Sequence, residues 1–290
     1  MTAALQAPTH DLVFRMHRVA APLDQWVAGI WAVAGVVRVP AETVLPNGVV
    51  ELIFNLGPAH RVVAPGGAGT DRWYRHSWLA GMQQGPLTIA SQGTTALIGV
   101  RFRPGGAAAL LDLPLGTVTD QVVDLDDLDA PDSELSLLRT RLAEADVVTG
   151  VSVVEEALLR RFVARHRAAR GRHRPDRRVA HAVAALPDAR SLGSLARDLG
   201  VSHKHLITLF HDEVGVTPSR LRRIQRFDRL LRGLVHEPDP NWAGIAVDHG
   251  FSDQAHLGRE VRSLAGVTPT GLVATLLAGQ GHLDASGHVA

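Results

Sequence analysis

The sequence predicts an α+β multidomain protein: a mainly β, barrel-like N-terminal domain with accessory helices, then an all-α domain of two helix-turn-helix subdomains joined by a long helix. Three observations predict it. β-Branched and aromatic runs between Gly and Pro turns fill the first half. Helical periodicity without strand signals fills the second half. A Gly-apolar-Ser motif occurs twice in that second half. The predicted boundaries are a β-rich domain at 1–165, a basic linker at 166–176, a helical domain at 177–278 and a flexible tail at 279–290.

Composition narrows the possible functions. The chain of 290 residues has no cysteine, which excludes disulfides, thiolate zinc sites and cysteine nucleophiles. The net charge of +1 conceals a division, because acidic residues prevail in 1–159 and basic residues in 160–290. A basic half favours a polyanionic partner, although a solvated basic surface is the alternative. Without an apolar run of membrane-spanning length or a signal-peptide pattern, we expect a cytoplasmic protein with no membrane partner.

The first half contains several strand signals and one ambiguous run. Residues 26–39 are apolar without clear period, so helix and strand stay open there. Residues 49–56 form a predicted buried strand that contains Glu51. Residues 86–90 and 95–102 are predicted to pair as a hairpin around Gln92-Gly93. Two helices are predicted at 132–145 and 151–166, which would close the domain.

The aromatic residues of the first half predict a candidate effector pocket, with ordinary core packing as the alternative. Arg101 and Arg103 share one strand face by the period of 2 and could hold an anionic effector. The alternative is a salt bridge to Glu51 or to the nearby acidic stretch. The predicted effector-binding residues are Trp73, Trp78, Glu51, Arg101 and Arg103.

The histidines do not form a recognisable metal motif. His203 and His205 point apart on a helix, so they do not suit one site with His211. The sequence also lacks a Gly-Lys-Ser/Thr phosphate loop and a Gly-x-Ser-x-Gly elbow. We therefore predict no metal, no cofactor, no catalytic residue and no enzymatic activity. The alternative hypothesis is a β-barrel small-molecule enzyme or binding protein with a basic DNA-binding appendage.

The first motif, LARDLGVSHKHL, has the pattern of a helix-turn-helix. Gly200 suits the left-handed turn between two helices, and Ser202 is a good N-cap for the second. That second helix would bury Leu206 and Phe210. Its opposite face would present Lys204, Thr208 and His211 to a major groove.

The second motif, IAVDHGFSDQAHLGREVRSLAGVTP, repeats the pattern 50 residues later, with Gly250 at the turn and Ser252 at the equivalent cap position. Gln254, His256 and Arg259 are its outward polar residues. Arginine pairs bidentately with guanine and glutamine with adenine. A helix predicted at 219–234 would hold the two units at a fixed separation, with its own arginines on its polar side.

Over 177–277 these motifs closely resemble the DNA-binding domain of AraC/XylS-type transcription regulators. The stretches LPNGVVELIFNLG, WLAGMQQGP and GVRFRPGGAAALL also look like a sensor-type domain of one branch of that family. The resemblance implies a sequence-specific transcription regulator, with Lys204, Ile207 and Thr208 of the first unit and Ala255, His256 and Arg259 of the second facing bases. The predicted DNA-binding residues are Ser202, His203, Lys204, Ile207, Thr208, His211, Ser252, Gln254, Ala255, His256 and Arg259.

The expected partners are double-stranded DNA, a small-molecule effector at the N-terminal sensor or dimerisation domain, and RNA polymerase. A second copy of the chain is a further expected partner, and the alternative is binding as a monomer, which tandem motifs allow. DNA binding should depend strongly on salt, because arginine-rich interfaces release counterions from phosphate.

Overall fold

The computed structural model describes residues 10–38, 40–63, 71–90, 93–128, 134–168, 176–234, 237, 239–277 and 281–282. The described strands are β1 His10–His17, β2 Val27–Val37, β3 Glu42–Val44, β4 Glu51–Asn55, β5 His60–Val63, β6 Arg72–Tyr74, β7 Ser77–Ala80, β8 Leu87–Ala90, β9 Gly93–Phe102, β10 Val122–Asp124 and β11 Gly281–His282. The described α-helices are α1 Gly106–Leu111, α2 Glu134–Leu142, α3 Val147–Ala168, α4 Arg177–Ala185, α5 Leu192–Asp198, α6 His203–Glu213, α7 Pro218–Leu234, α8 Trp242–Asp248, α9 Gln254–Ala265 and α10 Pro269–Leu277.

The N-terminal domain consists of two sheets. One has the order β1-β2-β9-β4-β7-β10, and the other has the order β11-β3-β8-β5-β6. Side chains from both sheets line one cavity, so the sheets are the two walls of a sandwich. The strand-rich first domain and the helical second domain are thus confirmed, but the two sheets do not close into a barrel. The ambiguous apolar run forms β2, a buried strand that pairs with β1 and β9.

The predicted hairpin between β8 and β9 is wrong. β8 pairs with β3 and β5 in one sheet, whereas β9 pairs with β2 and β4 in the other. The turn signal marks a change of direction, and it carries no information on which strand the chain will pair with next. β8 and β9 therefore belong to different sheets, although they are neighbours in the sequence.

The predicted linker and tail fall partly outside the described residues. The predicted linker begins within α3, which continues to Ala168, and residues 169–175 lie outside the described part. Within the predicted tail the structure describes Gly281–His282, which pair in parallel with β3. The two predicted closing helices occur as α2 and α3 with shifted ends.

One hydrophobic core runs through both domains. The same buried cluster contains Leu45 and Val50 of the β domain and Ile224 and Phe227 of α7. A Cβ placed on Gly48 would lie 3.5 Å from Cγ2 of Ile224, and Gly48 has a φ of +78°. A residue with a side chain would be strained in that left-handed backbone conformation. The turn before β4 therefore packs directly on the long helix of the helical domain.

A polar seam joins the domains at the end of α6. The backbone N–H of Gly105 donates to the carbonyl oxygen of Glu213 at 3.1 Å. The hydroxyl of Thr119 donates to the carbonyl oxygen of Gly215. The imidazole of His211 lies against Gly116, so close that a Cβ there would overlap the ring. The first helix-turn-helix unit is therefore fixed on the N-terminal domain at the C-terminal end of its second helix.

Candidate DNA interface and ligand cavity

The first helix-turn-helix unit is formed by α5 and α6. The turn between them uses Gly200 at a φ of +67°, and the N–H of Val201 donates to the carbonyl oxygen of Ala196 at 2.9 Å. The hydroxyl of Ser202 accepts from the N–H of His205 at 3.1 Å, which is the predicted N-cap. The local sequence alone therefore specifies this corner.

The second helix of this unit presents its first turn to solvent. His203, Lys204 and Thr208 are exposed, and Ile207 is half-buried. His211, predicted on the same face, is exposed but abuts Gly116 of the N-terminal domain. The surface open to a ligand is thus the N-terminal half of α6, where backbone N–H groups and Lys204 can meet phosphate.

The second unit, formed by α8 and α9, repeats the corner with a different cap. Gly250 has a φ of +70°, and the N–H of Phe251 donates to the carbonyl oxygen of Ala246 at 2.8 Å. The side chain of Asp253 caps α9 by accepting from the N–H of His256 at 2.6 Å. The expectation of Ser252 at the cap was wrong, because the carboxylate one residue later takes that position. The N–H of His256 and the Ser252 hydroxyl hold the pKa of Asp253 below its ordinary value.

The outward face of α9 combines free and fixed side chains. Gln254, Ala255 and Arg259 are exposed. His256 is half-buried: Nδ1 lies 3.1 Å from the hydroxyl of Ser252, and the ring meets Phe251 edge-on at 5.5 Å between centroids. Arg259 is therefore an exposed cation of this face, and His256 has a fixed orientation.

Glu260 attaches the inner side of α9 to α7, and the sequence analysis did not predict this role. Its carboxylate accepts from the Nε of Arg223 and lies 3.7 Å from an Nη2 of Arg226. The guanidinium of Arg226 also sits 4.4 Å from the centre of the Phe251 ring and donates to the carbonyl oxygen of Gly250 at 3.1 Å. The i, i+4 spacing to His256 was the available signal, but the partners on α7 depend on tertiary packing.

The arginines of α7 therefore have mainly structural roles. Arg222 donates to the carbonyl oxygens of Leu186 and Ala189 at 2.9 and 2.8 Å, while Arg223 and Arg226 hold α9 through Glu260. Arg229 is exposed. The arginine side chains of α7 thus serve chiefly to hold the two helix-turn-helix units together.

The cavity between the two sheets has a volume of about 140 Å³. Its walls are mostly aliphatic and aromatic, with residues from both sheets and from the turn before β4. Leu231 of α7 also lines it, so the helical domain contributes to its wall. The aromatic side chains are Phe14, Trp31, Tyr74 and Trp78; the polar ones are Glu42, Asn47, Glu51, His60, Gln83 and Thr95.

The structure separates the predicted effector residues. Glu51 and Trp78 line the cavity. Arg101 lies behind Glu51 and donates to its Oε1 from Nε at 3.0 Å and from Nη2 at 2.9 Å. Trp73 is 59% exposed outside the cavity, with the guanidinium of Arg61 over its ring at 5.7 Å. Arg103 also lies elsewhere, donating to the carbonyl oxygen of Asp24 at 2.6 Å.

Within the described ranges, no three His, Asp or Glu side chains are arranged to hold a metal ion. None of the described helices has the length and apolar character needed to span a bilayer.

Comparison with known proteins identifies two regions. Residues 195–274 match a family described as a helix-turn-helix domain, and residues 15–124 match a domain of unknown function, DUF6597. The invasion protein InvF of Salmonella typhi and that of Salmonella typhimurium strain LT2 are each 30% identical over 92 residues, which is 31% of this chain and 42% of theirs. The chain thus matches less than half the length of these curated relatives.

Two solved structures are similar to most of the chain. ToxT from Vibrio cholerae O395 is 9% identical, covers 82% of this chain and 96% of its own, and superposes with a TM-score of 0.42. The AraC-like transcriptional activator CuxR is 14% identical, covers 77% and 86%, and has a TM-score of 0.27.

Proposed function

We propose that this chain is a transcription regulator of the AraC/XylS type, which the match of residues 195–274 to a helix-turn-helix domain supports. It would bind a specific DNA sequence under the control of a small molecule held in the N-terminal domain. The observation that carries the proposal is the pair of helix-turn-helix corners. Each has a left-handed glycine, a side-chain cap and an exposed first turn on its second helix.

The two units are suited to unequal tasks on DNA. The first presents Lys204 and helix N–H groups, which bind phosphate and position the protein. The second presents Arg259 and Gln254, whose side chains can pair bidentately with guanine and adenine edges. Sequence discrimination should therefore depend mainly on α9.

The small-molecule part of the proposal is supported by the position of α7. This helix joins the two units, contributes Leu231 to the cavity wall, and packs against the Gly48 turn beside the cavity. A ligand that changed the packing of this wall would act directly on the helix that sets the separation of the two units. A ligand shifts such an equilibrium only through different affinities for its two states.

The DNA-binding part can be tested by selecting duplexes from a random pool with the full chain and sequencing those retained. We expect one enriched sequence pattern, with binding that weakens steeply as salt rises. Retention of duplexes without any shared pattern would contradict sequence-specific recognition and favour an architectural role.

We expect Arg259→Ala to lower the affinity for the selected duplex by about 1–3 kcal/mol and to relax the preference at one base pair, as for loss of a bidentate base contact. Fluorescence anisotropy with the selected duplex and with variants at each position measures this. Arg262→Ala is the matched control, because Arg262 is an exposed arginine on the same helix. An equal loss on selected and unrelated DNA would instead make Arg259 a phosphate contact.

A further inference from the structure

We propose that the cavity between the two sheets binds an uncharged, mainly apolar molecule about the size of one substituted aromatic ring. The inference rests on the proposed function, since it names the ligand class of the proposed regulatory site. It follows from the size of the cavity, the partners of its polar groups and the charge of its walls.

The size and the walls of the cavity favour a compact apolar ligand. An apolar cavity of about 150 Å³ stays dry and takes up benzene, and this one has about 140 Å³. Phe14 and Trp31 stack with centroids 6.2 Å apart, and Tyr74 and Trp78 meet at 5.6 Å. Together these rings offer flat surfaces and aromatic edges, which suit a planar ligand through dispersion and offset stacking.

Several polar side chains of the wall already have partners in the protein. Oε1 of Glu51 accepts from Nε1 of Trp31 at 2.9 Å and from Arg101. The hydroxyl of Tyr74 donates to the carbonyl oxygen of Val122 at 2.6 Å, and the Thr95 hydroxyl lies 3.3 Å from Nε2 of His60. A strongly polar ligand would have to compete for these groups, and an unpaired buried polar group is costly.

The charges of the wall disfavour an anion. The described lining includes the carboxylates of Glu42 and Glu51 and contains no lysine or arginine. Burial lowers the pKa of His60, so its imidazole is neutral near pH 7. A carboxylate or phosphate ligand would lose its hydration without a cationic partner among these residues.

A cation is also disfavoured, because the negative charge at Glu51 is already compensated. Nη2 of Arg101 lies 2.9 Å from Oε1 of Glu51, and the two side chains are only 8% and 15% exposed. Glu42 has an interaction within the protein, while its Oε1 is buried without a hydrogen-bond partner. An organic cation entering the cavity would therefore meet the neutralised Glu51–Arg101 pair and not a free carboxylate. The cavity thus favours an uncharged ligand over an anion or a cation.

The test uses three probes with one carbon skeleton and different charge: toluene, benzoate and benzylammonium. Each is titrated into the full chain at pH 7 while thermal unfolding is monitored, because a ligand that binds the folded state raises its apparent stability. We expect toluene to raise the unfolding temperature at concentrations about tenfold or more below those of either ion. Tighter or equal binding of benzoate or benzylammonium, or no shift with any probe, overturns the proposal.

Two substitutions at Leu97, a lining residue of β9, locate the binding. Leu97→Trp should fill the cavity and abolish the toluene shift. Leu97→Ala should enlarge the cavity and move the binding preference from toluene towards naphthalene. This second variant locates the ligand even if the tryptophan variant does not fold. Val13→Trp is the control, because Val13 is 62% exposed and outside the lining. Unchanged selectivity in both Leu97 variants would place the ligand elsewhere and overturn the assignment.

DNA affinity separates this inference from the proposed function. The selected duplex is titrated with and without saturating toluene. Toluene-selective binding with a change in DNA affinity supports both. Toluene-selective binding with unchanged DNA affinity supports the ligand class and contradicts ligand control, whereas specific DNA binding without toluene uptake contradicts only the ligand class.

Discussion

Replacing Glu213 with glutamine should stabilise the protein by on the order of 3 kcal/mol at pH 8 and leave its stability almost unchanged at pH 4. Glu213 is 6% exposed at the seam between the domains. Its Oε1 accepts from the N–H of Asp176 at 2.7 Å, and its Oε2 is buried without a hydrogen-bond partner. Burial raises the pKa of Glu213 from 4.5 to about 7; the hydrogen bond from the Asp176 N–H and the charge of Arg178 oppose this rise, and the charges of Asp176 and Asp212 add to it.

The sign of this pH dependence follows from the proton that the folded state retains. Below about pH 4.5 both the folded and unfolded states carry the proton, so Glu213 imposes no ionisation cost. Between about pH 4.5 and 7 the unfolded chain releases its proton while the folded chain keeps it, and the free energy of unfolding falls. Above about pH 7 the loss is complete. Glutamine has no proton to release, so the variant lacks this decline.

Urea unfolding of the full chain between pH 4 and pH 8 measures the effect. Glu144→Gln is the matched control, because Glu144 is an exposed glutamate of the N-terminal domain. Parallel stability curves for Glu213→Gln and the unsubstituted protein would show that Glu213 has the same pKa in the folded and unfolded states, and the seam would then not be pH-sensitive.

Replacing Glu260 with alanine should destabilise the helical domain by about 3 kcal/mol, the low end of the cost of breaking a buried ion pair, because this pair is partly buried and the arginine charge would be left uncompensated. The Glu260 side chain is 15% exposed and faces Arg223 and Arg226, each 22% exposed. Like-charge repulsion between these two arginines would then be unopposed. We also expect a larger affinity loss on selected DNA than on unrelated DNA, because α9 would lose its attachment to α7.

The control for Glu260 is Glu156→Ala on α3. Glu156 also bonds two arginines, Arg141 and Arg160, but its side chain is 56% exposed, and exposed pairs contribute about 0–1 kcal/mol. Urea unfolding and DNA anisotropy compare the two variants. Equal, small effects would indicate that the Glu260 cluster is only a surface network.

The helix-turn-helix corners could be predicted because their signals are local. Gly200, Ser202 and the buried Leu206 and Phe210 lie within a dozen residues, and their conformational preferences do not depend on distant contacts. The same reasoning failed at the cap of α9 only by one residue, where Asp253 competes successfully with Ser252.

The cavity could be predicted only in part, because sheet pairing is set by contacts distant in sequence. The period of 2 would place Arg101 and Arg103 on one face only if both belonged to the same strand. β9 ends at Phe102, so Arg103 lies outside it. Arg101 therefore meets Glu51 across the sheet, whereas Arg103 follows the turn outside it. Tertiary packing likewise determines three further features: the separation of β8 and β9 into different sheets, the position of Leu231 in the cavity wall, and the attachment of α9 to α7 by Glu260.

Chemical footprinting of the selected duplex with the full chain tests the central claim most directly, namely that α6 and α9 bind one DNA site together. We predict two protected major-groove segments about 10 base pairs apart, one helical turn, with Lys204→Ala weakening one segment and Arg259→Ala weakening the other. A single protected segment, or two segments that weaken together in both variants, would contradict two separate DNA-binding units.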